Sequence, residues 1–221
     1  MDDSTTKQNI RSPVAAHFLD SLSKATHINS PYDYWLLDHA LPESTANAIT
    51  ALPFPPPSGA VFDGRRESNN SSRVFFNAEN QKRFLVCRDV ALAFNDALVM
   101  GALERATGSK LSEGFLRIEY CQDVDGFWLE PHLDISVKLF SLLICLSDDP
   151  NLFDAGTDIF DSTPEHRLVA SVPYEKGRGV IFIPGENTWH GFSKRAIRGL
   201  RKSIIVNYVS SEWRNKDELS F

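Results

Sequence analysis

Two histidines and one aspartate in the C-terminal half of this chain have the residue types and spacing of a metal site. His132 and Asp134 are two residues apart and follow Pro131, and His190 lies 56 residues after Asp134, beyond an apolar run. Residues two apart in a strand face the same way, so His132 and Asp134 can both point into one cavity. Two imidazoles and one carboxylate on one side of a ferrous ion leave three positions open for an organic acid and O₂.

Other ligand sets compete with this prediction. The pattern His-x-Asp is common by chance in a chain with six histidines, so its weight comes from its position. Glu130 is also two residues from His132 and is a lesser rival to Asp134. Zinc hydrolases usually carry both histidines in a His-Glu-x-x-His helix, which this sequence lacks, so a facial Fe(II) site is favoured. The other histidines have no carboxylate at metal spacing: His17, His27, His39 and His166.

Short runs of β-branched and aromatic residues, separated by turn signals, must position these ligands. The runs are residues 115–121, 137–146, 168–172, 180–183 and 203–209. Earlier in the chain, residues 34–37 are predicted as a first strand and residues 42–49 as a helix. Apolar spacing predicts another helix over residues 89–107, ended by Gly108. The pattern is typical of a mainly β protein with N-terminal α-helices.

Length and composition favour one domain. The chain has 221 residues, 42% of them hydrophobic, which is enough for one substantial core. Residues 1–30 are predicted as a polar N-terminal extension, either frayed or a loosely docked helix. Residues 31–221 are predicted as a single domain with a β core at about 112–212. Residues 58–72 are rich in Gly, Asn, Ser and Arg and are predicted as a binding loop or an irregular surface connection.

Charge, cysteine spacing and the lengths of the apolar runs argue against several functional classes. A formal charge of −6 without a basic stripe argues against a nucleic-acid partner. Three cysteines without C-x-x-C spacing suggest reduced thiols. No secretory pattern and no apolar stretch of membrane-spanning length is present, so we expect a cytoplasmic protein without a membrane partner. The oligomeric state is not indicated by the sequence.

The stretch from Phe115 to Val209 resembles the Fe(II)/2-oxoglutarate-dependent oxygenases, in their prolyl-hydroxylase-like branch. The likeness is an ordered set of features rather than one motif. In chain order they are a strand ending at Tyr120, then Gly126, Pro131 to Asp134, Lys138 to Asp149, Ala155 to Phe160, Val172-Pro173, Lys176 to Phe182, His190, and Arg201 to Ser203. Residues 37–42 also resemble the entry to such a domain.

The resemblance implies a double-stranded β-helix, a distorted jelly roll, with His132, Asp134 and His190 as catalytic iron ligands. It implies Fe(II), the co-substrate 2-oxoglutarate and O₂ as cofactors. Arg201 would hold the C5 carboxylate of 2-oxoglutarate, because a guanidinium can donate two bonds to one carboxylate. Ser203 and Tyr120 would be further donors to the co-substrate. Some family branches use lysine for this task, so Lys202 is a rival to Arg201, and Arg195 and Arg198 are weaker rivals.

The implied reaction converts 2-oxoglutarate to succinate and CO₂ and hydroxylates a C–H bond of the substrate. A small polar molecule is the expected substrate, and the candidate substrate-binding residues are Arg65, Arg66, Arg73 and Trp128. Two alternatives stay open at this point. The chain could be a non-catalytic jelly-roll binding module, or a cupin-like metalloenzyme that does not use 2-oxoglutarate.

Overall fold

The structure is a computed structural model that describes residues 12–65 and 73–221. The helices there are α1 (Pro13–Ser23), α2 (Glu43–Thr50), α3 (Ala78–Arg83), α4 (Leu85–Phe94) and α5 (Ala97–Thr107). The strands are β1 (Thr26–Ile28), β2 (Tyr34–Leu37), β3 (Val74–Phe75), β4 (Phe115–Asp123), β5 (Leu129–His132), β6 (Lys138–Cys145), β7 (Asp158–Phe160), β8 (Leu168–Ser171), β9 (Gly179–Phe182), β10 (His190–Phe192) and β11 (Arg201–Val209). No helix among the described residues has the length and apolar character needed to cross a membrane.

The helix predicted over residues 89–107 is two helices. The first ends at Phe94, and Asp96 caps the second by accepting a hydrogen bond from the Leu98 backbone N–H at 2.7 Å. A capping aspartate starts a new helix because it satisfies a backbone donor that the first turn leaves without a partner. The predicted end at Gly108 is confirmed, since this residue has the left-handed φ of 74° that favours glycine.

Helix α1 falls within the stretch that was expected to be a polar extension, yet it is packed against the molecule. Its apolar side chains Val14, Ala15, Phe18 and Leu22 are buried in the main core cluster. They recur at the spacing that puts them on one face of a helix. The ring of Phe18 meets that of Phe94 edge-on at 4.8 Å between centroids. Residues 13–23 are therefore part of the packed structure and not a loose tail.

Two antiparallel sheets form the β part of the molecule. The major sheet has the strand order β1-β2-β9-β6-β11-β4-β3, and the minor sheet has the order β5-β10-β7-β8. One cavity is lined by residues of both sheets, including Leu129 and Phe192 from the minor sheet and Leu143 and Ile205 from the major sheet. The two sheets therefore face each other across it, which is the arrangement of a jelly roll.

The major sheet has two chemically different faces, because successive side chains of a strand point to opposite sides. On β11, Ile204, Val206 and Tyr208 belong to the main core cluster together with the helices. We call this side the outer face. Arg201 and Ser203 of the same strand line the cavity between the sheets. We call that side the inner face.

Candidate metal centre

The three predicted ligands come together in the cavity between the sheets. One ligand atom of His132, one of Asp134 and one of His190 lie within 4.8 Å of one another. Strand pairing explains part of this, because His190 at the start of β10 is opposite His132 at the end of β5. Alternation had suggested that Asp134 lies in the same strand as His132. It lies instead in the connection that follows β5. Glu130 is exposed and is not part of the cluster.

Backbone carbonyls fix which nitrogen each imidazole offers to a metal. Nδ1 of His132 lies 2.8 Å from the carbonyl of Glu130, and Nδ1 of His190 lies 2.9 Å from that of Thr188. A carbonyl only accepts, so Nδ1 carries the hydrogen and the lone pair of the neutral ring is on Nε2. Such contacts orient metal-binding histidines in general. Both rings are therefore set as Nε2 ligands.

Burial keeps His190 in the form that binds a metal. Desolvation, followed by the charge of His132, lowers the pKa of His190 to about 3. The imidazole is therefore neutral at pH 7, and only a neutral imidazole has a lone pair to donate. Phe182 packs against the ring with 4.3 Å between centroids and supplies part of the apolar wall.

Asp134 is oriented by two donors. Lys138 donates from Nζ to Oδ1 at 2.5 Å, and Ser141 donates from Oγ to Oδ2 at 2.7 Å. The side chains of Lys138 and Asp134 are each only 3% exposed. A buried carboxylate with a donor on each oxygen has little freedom to rotate, and its remaining lone pairs can still bind a metal.

Arg201 lies in the same cavity and is partly engaged. It donates from Nε to the carbonyl of Ala155 at 2.6 Å and from Nη1 to Oδ2 of Asp123 at 2.5 Å. Arg73 approaches the other oxygen of Asp123 at 3.4 Å, so two guanidinium groups face one carboxylate. The excess positive charge suits an added carboxylate. Ser203 Oγ is buried here and has no hydrogen-bond partner among the described residues.

The chemistry of these groups suits a metal ion and the distal carboxylate of a dicarboxylate. The cavity, however, is too small to hold the whole dicarboxylate. The cavity has a volume of about 40 Å³. One water needs roughly 10–15 Å³, so there is room for an ion and a few waters. 2-Oxoglutarate is larger and can enter only if side chains move. Asp123 accepts from Nη1 of Arg201, so a carboxylate bound there would share or replace that contact.

The three cationic residues that were alternatives to Arg201 for binding the co-substrate do not line the cavity. Lys202 donates from Nζ to the carbonyl of Thr50 at 2.8 Å, on the outer face. Arg195 donates to Oδ2 of Asp158 at 2.7 Å, outside the cavity lining. Arg198 is exposed. Arg201 is the one of the four that lines the cavity.

Tyr120, predicted to bind the co-substrate, does not line the metal cavity. Strand pairing puts Tyr120 opposite Ile204, and directly opposed residues of antiparallel strands share a face. Both belong to the main core cluster on the outer face. Tyr120 alternates along β4 with Leu116 and Ile118, and that set faces the helices and not the cavity.

The predicted substrate-binding residues are scattered. Arg65 is exposed at the rim of a second cavity, and Arg66 lies outside the described residues. Arg73 is inside the metal cavity and not at its mouth. Trp128 packs on Gly64, where an added Cβ would come within 2.4 Å of the indole. This contact fixes the described start of the polar loop against β5, since Glu130 N–H also donates to the Gly64 carbonyl.

A second cavity borders two of the three predicted ligands. It has a volume of about 380 Å³ and shares His132, Asp134 and Lys138 with the metal cavity. Trp213 and Ile135 add apolar surface to its wall. Four further lining residues are charged, and they are of both signs: Arg65, Arg117, Glu130 and Glu218.

Sequence reasoning missed three buried polar residues around the site. They are Asp123, Lys138 and Asn207, each at most 5% exposed. A signal was present for Lys138 and Asn207, because each directly adjoins an apolar run of its strand, residues 139–140 and 204–206 respectively. Buried polar groups need partners, so such residues mark places where partners converge. Which partners they meet depends on strand register.

Comparison with known proteins supports the fold. A scan of protein-family models finds no match, and neither does a search of curated proteins. Solved structures do match. The chain resembles a prolyl-4-hydroxylase from Pseudomonas putida, with a TM-score of 0.56 and 15% identity over 89% of this chain and 98% of that one. It also resembles a prolyl hydroxylase from Trichoplax adhaerens in complex with a hypoxia inducible factor peptide fragment, with a TM-score of 0.55 and 14% identity over 90% of each chain.

The chain therefore has the fold of the prolyl hydroxylases, a double-stranded β-helix. This confirms the predicted fold class, and the sequence resemblance to the prolyl-hydroxylase-like branch of the Fe(II)/2-oxoglutarate oxygenases has a counterpart in three dimensions. Because a fold hosts many functions, activity has to be argued from the site itself.

Proposed function

We propose that this protein is an Fe(II)- and 2-oxoglutarate-dependent dioxygenase that hydroxylates a C–H bond and releases succinate and CO₂. One observation carries the proposal. His132, Asp134 and His190 converge within 4.8 Å in a cavity that Arg201 also lines. Two imidazoles and a carboxylate are the facial set that leaves open positions on a ferrous ion.

Each group has a defined task in this proposal. The two Nε2 atoms and the Asp134 carboxylate hold the ion, and backbone carbonyls keep the imidazoles in the binding tautomer. Arg201 and the hydroxyl of Ser203 bind the distal carboxylate of 2-oxoglutarate. When bound, iron, O₂ and 2-oxoglutarate supply the oxidising chemistry, and the protein supplies position and a shielded site.

We propose that the substrate reaches the metal through the second cavity. A cavity of about 380 Å³ lies within the range of small-molecule sites, and it borders two of the ligands. Its charged groups of both signs suit a small polar molecule. The Trichoplax enzyme was solved with a peptide, however, so a side chain presented on a peptide is a second candidate.

An anaerobic titration tests the proposal. Adding 2-oxoglutarate to the Fe(II)-loaded protein should produce a metal-to-ligand charge-transfer band in the visible region. A cupin-like metalloenzyme would bind Fe(II) without this band, and a non-catalytic jelly-roll module would bind neither. Absence of the band at saturating Fe(II) and 2-oxoglutarate rejects the proposed function. Succinate release, stimulated by pools of small polar metabolites or by proline-containing peptides, then separates the two substrate classes.

A further inference from the structure

A row of polar side chains crosses the inner face of the major sheet and ends on Asp134. Strand pairing puts Arg117 of β4 opposite Asn207 of β11, and Asn207 opposite Ser141 of β6. Arg117 is 3% exposed, Asn207 0% and Ser141 1%. Buried polar groups are costly unless their hydrogen bonds are made, so the bonds along this row need an account. The proposed function gives Asn207 no task, and it involves Arg117 only as one of the charged residues that line the second cavity.

The direction of every hydrogen bond in the row is determined by chemistry. Arg117 can only donate, and its Nη1 lies 3.3 Å from Oδ1 of Asn207. The amide nitrogen of Asn207 donates to the carbonyl of Phe140 at 3.2 Å and to Oγ of Ser141 at 2.9 Å. The Ser141 hydroxyl, having accepted that bond, donates its hydrogen to Oδ2 of Asp134 at 2.7 Å.

The result is a one-way series of donors from Arg117 through Asn207 and Ser141 to Asp134, which we call the donor chain. We infer that Asn207, acting through Ser141, is a positioning residue for the metal ligand Asp134. The inference rests on the proposed function, because it gives the donor chain a metal site to shape. Outer partners of this kind fix the orientation of a ligating carboxylate and are costly to remove.

The head of the donor chain is anchored rigidly. Arg117 donates from Nε to Oε2 of Glu218 at 2.6 Å. Its guanidinium also lies over the rings of Phe75 and Trp213, at 4.7 and 4.8 Å from their centroids. With five donors in one plane, arginine can hold both Glu218 and Asn207 without turning. The orientation imposed on Asp134 therefore originates in a fixed group.

Lys138 does not make the donor chain redundant. It holds Oδ1 of Asp134, whereas Ser141 holds Oδ2. The lysine ammonium can follow Oδ1 as the carboxylate turns about its bond to Cβ, and a second donor on Oδ2 restricts that motion. The ammonium group of lysine is also on a flexible stem, whereas Ser141 is fixed by the sheet.

The test compares metal binding by Asn207→Asp, Ser141→Ala and Ser141→Thr with that of the wild-type protein. Asn207→Asp keeps the size of the side chain and the acceptor for Arg117 but removes the donor to Ser141. We measure Co(II) affinity by competition with a chromophoric chelator, and record the visible d–d bands of the bound Co(II). Asn207→Asp and Ser141→Ala should weaken binding about 10–100-fold and alter the bands. Ser141→Thr, which keeps the hydroxyl, should restore both.

A matched control separates positioning from general loss of stability. Gln81→Leu also removes a buried amide, one that donates to the carbonyls of Phe76 and Ser220 away from the cavity. It should lower the melting temperature without changing Co(II) affinity or the bands. If Asn207→Asp and Ser141→Ala keep wild-type affinity and bands, the inference is overturned while the proposed function stands. If the wild-type protein binds neither Co(II) nor Fe(II), the proposed function fails and the inference fails with it.

Discussion

The two faces of strands β4 and β11 are built from the same stretches of chain but are stabilised in different ways. The outer face carries Ile118 and Val206, which pack against the helices in the main core. The inner face carries Asp123, Arg201 and Asn207, all buried and all hydrogen-bonded. The side chains of both faces are buried, so their exposed fraction does not distinguish the two faces. The difference lies in whether a side chain gains by exclusion from water or by a specific partner.

This difference has a structural consequence. Apolar contacts on the outer face are non-directional, so a substitution there should change stability and leave the site intact. Hydrogen bonds on the inner face are directional, so a substitution there should change the geometry of the ligands and the co-substrate. Four substitutions test this separation, in order of decreasing effect.

The largest effect is expected on the inner face, at a ligand. His132→Ala should weaken Fe(II) binding by more than about 100-fold and abolish succinate release, because even an outer partner of a ligand costs 10–100-fold. His132 is a cleaner choice than Asp134, whose removal leaves the buried Lys138 ammonium without its carboxylate. His27→Ala, at an exposed histidine paired with Asp33, is the control and should bind Fe(II) normally. Turnover retained by His132→Ala would reject the ligand assignment.

The next effect is on stability, from the outer face. Ile204 is fully buried in the core, so Ile204→Ala should cost about 2–5 kcal/mol of unfolding free energy. Urea unfolding measures this loss, and chelator competition should show unchanged Fe(II) affinity in the folded variant. Ile205→Ala is the matched comparison, because Ile205 borders the cavity and is 7% exposed, whereas Ile204 is fully buried. A larger loss of stability at Ile205 than at Ile204 would reverse the assignment of the two faces.

Much of the fold followed from sequence patterns. Long alternating strands such as β4 and β11 were recognised because their apolar periodicity is strong. The strands β7 and β10 were missed, since three residues are too few to show a period. The interruption between α4 and α5 was missed because the apolar spacing continues through it while Asp96 starts a new helix.

The site was only partly predictable, for a related reason. Alternation shows that Tyr120 shares a face with Ile118, but it does not show which face looks into the cavity. The pairing of Arg201 with Asp123 likewise depends on register between strands almost 80 residues apart in sequence, which the residues alone do not determine. What could be predicted was the set of ligand types, because iron sites demand particular donors whatever the register.

A smaller effect is expected at the distal end of the cavity. Arg201→Ala should weaken 2-oxoglutarate binding by roughly 10–150-fold, since a hydrogen bond to a charged group contributes about 1.5–3 kcal/mol. Asp123 keeps Arg73 as a partner, so the variant does not bury an isolated carboxylate. Lys202→Ala, one residue away but on the outer face, is the control. The charge-transfer titration measures both, and a loss of affinity in Lys202→Ala alone would move the role to that lysine.

The smallest effect is expected at Tyr120, whose hydroxyl is buried on the outer face without a hydrogen-bond partner among the described residues. Tyr120→Phe removes a buried hydroxyl that makes no hydrogen bond among the described residues. The free energy of unfolding should therefore stay within about 1 kcal/mol of the wild-type value or increase. The affinity for 2-oxoglutarate should not change, because the hydroxyl faces the helices. The charge-transfer titration measures the affinity for 2-oxoglutarate, and a thermal melt measures the stability. A clear fall in co-substrate affinity would place Tyr120 back in the pocket and contradict the register between β4 and β11 on which the separation of the two faces depends.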